Sequence, residues 1–478
     1  MARKSIAVNS FYNMIYRGLN VIFPLVTVTY VSRVILASGV GRVSYAQNIA
    51  QYFITLSALG IPNYGVREIS RATDLEERSK TFSELFFING ISTLFFSISY
   101  YLLIFSCSGF RNDHLLYMVV GSSIILNILN VDWFYQGMEE FRYIALRNFF
   151  VKLVSLVLVF VLIKDKGDYV NYALITCLAV GGNNVWNIIH LRRMHIRLEY
   201  SNLKIIHHLK PILLLFASAI SVELYTLLDT TMIGIMCTNE AVGYYTNSMK
   251  LVRILIVFIT SISGVLLPKI TIYARDNNVE KCSDVVSKVF SIMLLIFLPC
   301  EIGLFLLSDD VAVLLFGKSF VAAGVTLRIA SLLICTLGFS NLFGTQVLIA
   351  FKKEKLLLVT TGLGAISNVV LNMFLIPHFY QNGAAVASVV SETIVTLLSV
   401  KFACRYIKLR IDGRYLISLL VSSIALMVVV CVVIINIDNL YLRLMVSTLS
   451  GMIVYAYINY AMRNPVFVYF ISKINRKN

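Results

Sequence analysis

Apolar positions in this chain do not alternate, nor do they form a narrow helical stripe; they run together. About fourteen stretches are long enough to cross a bilayer as helices, roughly 11–32, 43–61, 82–106, 115–135, 148–163, 170–190, 211–236, 249–268, 287–307, 325–349, 356–376, 383–403, 415–435 and 441–461. Short polar loops separate them and leave no room for a soluble domain. A membrane β-barrel would show short alternating strands instead. The pattern therefore predicts an all-α integral membrane protein of about 14 transmembrane helices.

The pattern also repeats. Val40-Gly41-Arg42-Val43-Ser44-Tyr45 after the first span is echoed by Val242-Gly243-Tyr244-Tyr245 after the seventh, and Gly60-Ile61-Pro62 by Gly264 and Pro268. Gln136–Phe141, before span five, is echoed by Gln346–Phe351, before span eleven. The offset is about 200 residues, or six spans, which leaves both halves in one orientation and implies a pseudo-two-fold along the membrane normal. The expected division is an N-lobe over 1–200, a C-lobe over 201–412, and two further helices with a tail over 413–478. Two facing six-helix lobes can rock open to each side in turn around a central cavity.

Composition agrees with the spans: 58% of residues are hydrophobic and 14% charged, against about 25% charged in soluble domains. Mean hydropathy is +0.80. The net charge of +16 does not point to nucleic acid, because the basic residues sit in short caps between apolar runs. Loops on the side of the N-terminus carry about 29 Lys and Arg, against six on the other side. That asymmetry places both termini in the cytoplasm. Met1-Ala2-Arg3-Lys4 precedes a retained span, with no small-residue cleavage site after a short apolar core.

Charges inside spans carry the candidate chemistry, since a charge at mid-bilayer is costly and usually faces protein or water. Arg17 lies in span one and Arg33 ends it at the outer face, while Arg253 lies in span eight one turn after Lys250, Arg328 in span ten and Lys152 in span five. Each is open to a snorkelling or helix-capping reading. Together they suggest a basic cavity, because arginine forks match phosphate oxygens. Glu223 and Asp229, in span seven, are the deepest carboxylates and are candidates for binding H+ or Na+. Asp132, Glu301 and Glu392 also lie within spans, and an ion pair is expected for Asp132. Amides and tyrosines are frequent in the spans, suiting sugar hydroxyls or interhelical hydrogen bonds alike.

The eight cysteines are scattered without a CxxC pair, which argues against a disulfide framework or metal site. No P-loop, HExxH or GxSxG is present. His207-His208 and Asp309-Asp310 read as solvated loop pairs.

Four stretches carry a resemblance: Leu59-Gly60-Ile61-Pro62-Asn63-Tyr64-Gly65-Val66-Arg67-Glu68-Ile69; Trp133-Phe134-Tyr135-Gln136-Gly137-Met138-Glu139; Asp229-Thr230-Thr231-Met232-Ile233-Gly234 with Val242-Gly243-Tyr244-Tyr245; and Asn368 to Pro377 followed by Gly383-Ala384-Ala385. In order and spacing they resemble the bacterial polysaccharide repeat-unit flippases of the Wzx type. These belong to the MOP superfamily, with the MATE drug exporters and lipid II flippases. The resemblance implies movement of an undecaprenyl-diphosphate-linked oligosaccharide, for O-antigen or capsule, to the outer leaflet of the bacterial plasma membrane. It implies no enzyme activity and no cofactor, H+ or Na+ as coupling ion, and polysaccharide assembly proteins as partners. Val31-Ser32-Arg33-Val34 is similar to the lipid II flippases, whose first helix carries substrate-facing arginines. That raises Arg33 and Arg17 as diphosphate contacts, beside Arg253 and Arg328. Arg67 matches the family's loop motif, where it would bind lipid phosphate or lock a gate.

Two other readings stand beside this one. A MATE-like exporter of small cations would require an anionic cavity. A membrane polysaccharide polymerase or glycosyltransferase would need a large outer loop, and the longest here is about 307–324.

Overall fold

The computed structural model describes residues 6–201, 203–264, 267–276 and 278–468, and within helices not the side chains of 6–17, 19–22, 218–219, 221–222, 224–225, 258–259, 261–264 and 267–268. The regular structure of the described residues is helical, with no strand among them. It forms two compact units, Met1–Gly243 and Tyr244–Asn478.

The first unit holds α1 (Ile6–Ala58), α2 (Ile61–Arg71), α3 (Leu75–Ser106), α4 (His114–Leu126), α5 (Asp132–Gly137), α6 (Phe141–Leu162), α7 (Tyr169–Arg193), α8 (Ile205–Met236) and the start of α9 (Asn239–Gly264). The second holds the rest of α9, α10 (Leu267–Arg275), α11 (Val279–Leu306), α12 (Ser308–Phe316), α13 (Ala323–Ser331), α14 (Leu333–Ser340), a π-helical turn at Asn341–Leu348, α15 (Glu354–Ala403), α16 (Gly413–Asn436) and α17 (Leu440–Ala461).

Nine stretches of the described residues are long and apolar enough to cross a membrane. Their outer faces would be untenable in water: Ile91, Leu94, Phe95 and Leu102 of α3 are each more than 60% exposed. Hydrocarbon is the solvent such a face requires. Spans one and two are a single helical run, broken only at Leu36 (φ 60°), and spans eleven and twelve are another, broken at Tyr380 (φ 52°). A non-glycine residue in this region interrupts the helical ladder without needing a loop. Span four is divided more thoroughly. Asn127 and Asn130 turn their amides inward, Asn130 Nδ2 donating to Asn127 Oδ1 and Asn127 Nδ2 to Ser57 Oγ, and the helix stops at Leu126 and restarts at Asp132.

The sequence repeat has a local structural counterpart in each unit. Asp74 caps α3 by accepting from Glu77 N, and Asn278 caps α11 by accepting from Lys281 N. In the first unit Ser79 and Ser83 of α3 accept the backbone N–H of Arg197 and Glu199. In the second, Ser283 and Ser287 of α11 accept those of Lys408 and Arg410. An extended strap is thus pinned to a helix by serines one turn apart in both places.

The two Val-Gly stretches meet. A Cβ added at Gly41 would lie 1.7 Å from Asn239 O, and one at Gly243 would lie 2.3 Å from Ala37 O. Only glycine permits this approach of backbone to backbone. Gly41→Val is therefore expected to remove folded protein from the membrane, read as loss of monodisperse protein after detergent extraction.

Three loop readings change. His208 is buried between Tyr64 and Glu84 rather than on a solvated face. Asp309 and Asp310 fall in the first turn of α12, where they are ion-paired with Arg328 and Arg443. Arg147, counted among loop charges, is buried in α6 and paired with Asp132 at 2.8 Å, the ion pair expected for that carboxylate. All eight cysteines are free thiols.

Candidate functional site

The polar positions in the second half of α8 lie between apolar runs, 212–216 and 232–236. Glu223, Thr226 and Thr230 follow helical spacing along one side, with Asp229 beside Thr230. The helix packs on the second segment of α1. Gly234 makes this approach possible, since a Cβ there would lie 2.2 Å from the Tyr45 ring.

Facing α8, α1 presents Asn48 and Tyr52, one turn apart. Asn48 Nδ2 donates to Thr231 Oγ1 at 2.7 Å, and the Tyr52 hydroxyl lies 2.9 Å from the same oxygen. Thr231 in turn donates to Leu227 O at 3.1 Å. Tyr52 is within electrostatic reach of both Asp229 and Glu223. The two carboxylates are six residues apart, about 9 Å along the axis, too far to share one proton directly. Tyr52 and Thr231 supply the hydroxyls around them. Asp229 is 7% exposed and Glu223 half-buried. A buried carboxylate among hydroxyl and amide groups is a place that favours a proton or small cation.

The basic candidates are dispersed. Arg33 is exposed near the Leu36 break of α1. Arg67 is exposed on α2, where its Nε donates to Glu68 at 3.0 Å and its guanidinium lies 5.1 Å from the centre of the Tyr64 ring. Arg253 is exposed on α9 and Arg328 half-buried on α13, its Nε donating to Ser308 Oγ at 3.2 Å while Asp309 holds its outer nitrogen. A diphosphate at Arg328 would have to compete with that carboxylate. Arg17 lies outside the described side chains.

Two of the motif stretches pack on each other in the first unit. Gly60 adopts φ 77° against the backbone of α8, and Gly65 lies under Trp133, whose ring carbon would be 2.4 Å from an added Cβ. Gly137 lies against Ile69 and Val66 O. The glycines of these motifs thus serve close packing of α2 on α5 and α8.

Three residues carried little signal in the sequence. Asn48 was visible only as one polar residue among many in the spans, and Tyr52 as one tyrosine of 26. Glu84 carried a signal, a lone acid within Phe82–Ile88, that its position near a loop concealed.

Comparison with known proteins follows the same lines. The family described as "Polysaccharide biosynthesis protein" matches residues 6–274. A putative O-antigen transporter of Shigella dysenteriae is 23% identical over 390 residues, covering 80% of this chain and 96% of that one. A probable low-salt glycan biosynthesis flippase, Agl15 of Haloferax volcanii, is 24% identical over 245 residues, and that match takes in only half of each chain. Among solved structures, the lipid II flippase MurJ in an inward closed conformation superposes with a TM-score of 0.78 at 15% identity, over 96% of this chain and 100% of that one. At this identity the likeness is one of fold.

Proposed function

The chain belongs to the polysaccharide biosynthesis protein family, and from that premise we propose that it is a flippase of lipid-linked oligosaccharides working by alternating access. The observation that carries this reading is the fold likeness to a lipid flippase along nearly the whole chain, joined to relatives named as O-antigen transporter and glycan flippase. The substrate is an oligosaccharide on undecaprenyl diphosphate, moved from the cytoplasmic to the outer leaflet of a bacterial plasma membrane. Both termini face the cytoplasm, as the loop charges require. The sugar and diphosphate travel through a hydrated basic route while the polyprenyl tail stays in lipid.

Arg17, Arg33, Arg253 and Arg328 bind the diphosphate, with Arg67 engaging phosphate at the entry side. Guanidinium forks suit this task because each presents paired donors to phosphate oxygens. Glu223 and Asp229 couple movement to H+ or Na+. Assembly proteins of the polysaccharide receive the product in the membrane. No bond is made or broken, so no catalytic group is required.

The test is a set of single Arg→Ala variants at residues 17, 33, 253 and 328 in a strain dependent on this chain. Surface polysaccharide is expected to fall while membrane abundance of the protein stays constant. Full surface polysaccharide in all four variants would contradict the assignment of these arginines.

A further inference from the structure

Three polar side chains are buried together at the root of α8, apart from the carboxylate site. Tyr64 is 2%, Glu84 4% and His208 6% exposed. Glu84 Oε2 lies 2.7 Å from His208 Nε2, and Glu84 Oε1 accepts the Lys204 N–H at 2.6 Å. The Tyr64 hydroxyl lies 2.8 Å from His208 Nδ1. Both carboxylate oxygens and both ring nitrogens are therefore engaged, in one chain joining α2, α3 and α8. Such directional bonds fix one arrangement when complete and favour none when broken.

A backbone weakness lies on either side of this chain. Pro211, three residues after His208, has no N–H to donate to the His207 carbonyl and crowds that carbonyl with its ring. The first turn and a half of α8 is therefore weakly tied to the remainder. On the other side, Leu59 (φ 48°) and Gly60 (φ 77°) separate α2 from α1. Two of the three elements that the hydrogen bonds fasten, α2 and α8, thus border a place where the helical ladder is incomplete. The helix that contains Pro211 is also the one that carries Glu223 and Asp229.

We propose that Tyr64, Glu84 and His208 form a latch that fastens the root of α8 to α2 and α3 in this state and has to release in each transport cycle. They are positioning residues: none need touch substrate. The latch requires only that the chain cycles, whatever ion or lipid it takes.

A contact that is merely structural never needs to open, and that difference is measurable. In the full chain with its native cysteines replaced, Asn63→Cys and His207→Cys, exposed neighbours of the bonded pair, would be joined by a short bifunctional thiol reagent with a reducible link. Flipping of a lipid-linked oligosaccharide in reconstituted vesicles is expected to stop on cross-linking and return on reduction. Undiminished flipping after complete cross-linking would overturn the latch. Activity of the same chain before cross-linking separates failure of the latch from failure of the flippase reading. In the chain with its native cysteines, Tyr64→Phe, Glu84→Gln and His208→Gln are expected to lower the rate several-fold at unchanged apparent KM and unchanged abundance. Wild-type rates in all three would equally overturn it.

Discussion

Asp229→Asn is expected to remove the response of transport to an imposed proton or sodium gradient, so that the rate with the gradient falls to the rate without it. The amide keeps the volume of the carboxyl group and much of its hydrogen bonding, so the packing of α8 on α1 survives. What disappears is the charge that a proton or cation would neutralise. Asp229 is 7% exposed, and burial of a carboxylate disfavours its ionised form and favours the arrival of a proton or cation. Glu223→Gln is expected to act in the same direction but less strongly, because Glu223 is only half-buried. The measurement is flipping in vesicles with each gradient applied singly. A variant at residue 229 that responds to the gradient as the wild type does would remove this carboxylate from the coupling role.

The second large effect concerns folding rather than transport. The side chain of Arg147 is 2% exposed; its two terminal nitrogens donate to Asp132 at 2.8 and 3.2 Å, its Nε donates to Asn183 at 3.0 Å, and Asn187 adds a further acceptor. Asn187 also donates to Asp132 at 2.6 Å. Arg147→Met would keep the stem and strip the donors, leaving a carboxylate and two amide oxygens without their partner. Breaking a buried pair from one side costs about 3–5 kcal/mol. The Asp132 side chain retains 28% exposure, which puts the expected cost at the lower end of that range. The Tm of the purified protein should fall sharply. Adding Asp132→Leu should recover much of the loss, because the orphaned charge goes with it. No recovery in the double variant would mean that Arg147 acts mainly through its asparagine contacts.

Much of the architecture is written in the order of apolar runs, because hydrocarbon imposes one solution on a long apolar segment. The breaks are harder to read. Leu36 and Tyr380 divide long helices although neither residue favours a positive φ, so local propensity gives no sign of them. Span four reads as one apolar stretch, yet its asparagines find partners inside the first unit and divide it. Loop charge was a poor guide to environment. Arg147 and His208 look like surface residues until elements distant in sequence bring Asp132, Asn187, Tyr64 and Glu84 to them. The site itself was half legible. Glu223 and Asp229 were visible as acids in an apolar helix, whereas Asn48, Tyr52 and Thr231 gain meaning only when α1 is laid against α8.

Under the proposed function this chain carries a lipid-linked sugar, with its charged headgroup, across the bilayer. The most direct measurement reconstitutes the full chain in vesicles with an undecaprenyl-diphosphate-linked oligosaccharide bearing a label on its sugar. The fraction of label reachable by a membrane-impermeant quencher is then followed over time. Transfer between leaflets that requires the protein and slows with the Arg→Ala substitutions is the predicted result. Label that keeps its starting distribution in vesicles holding folded wild-type protein, with either gradient imposed, would contradict the account.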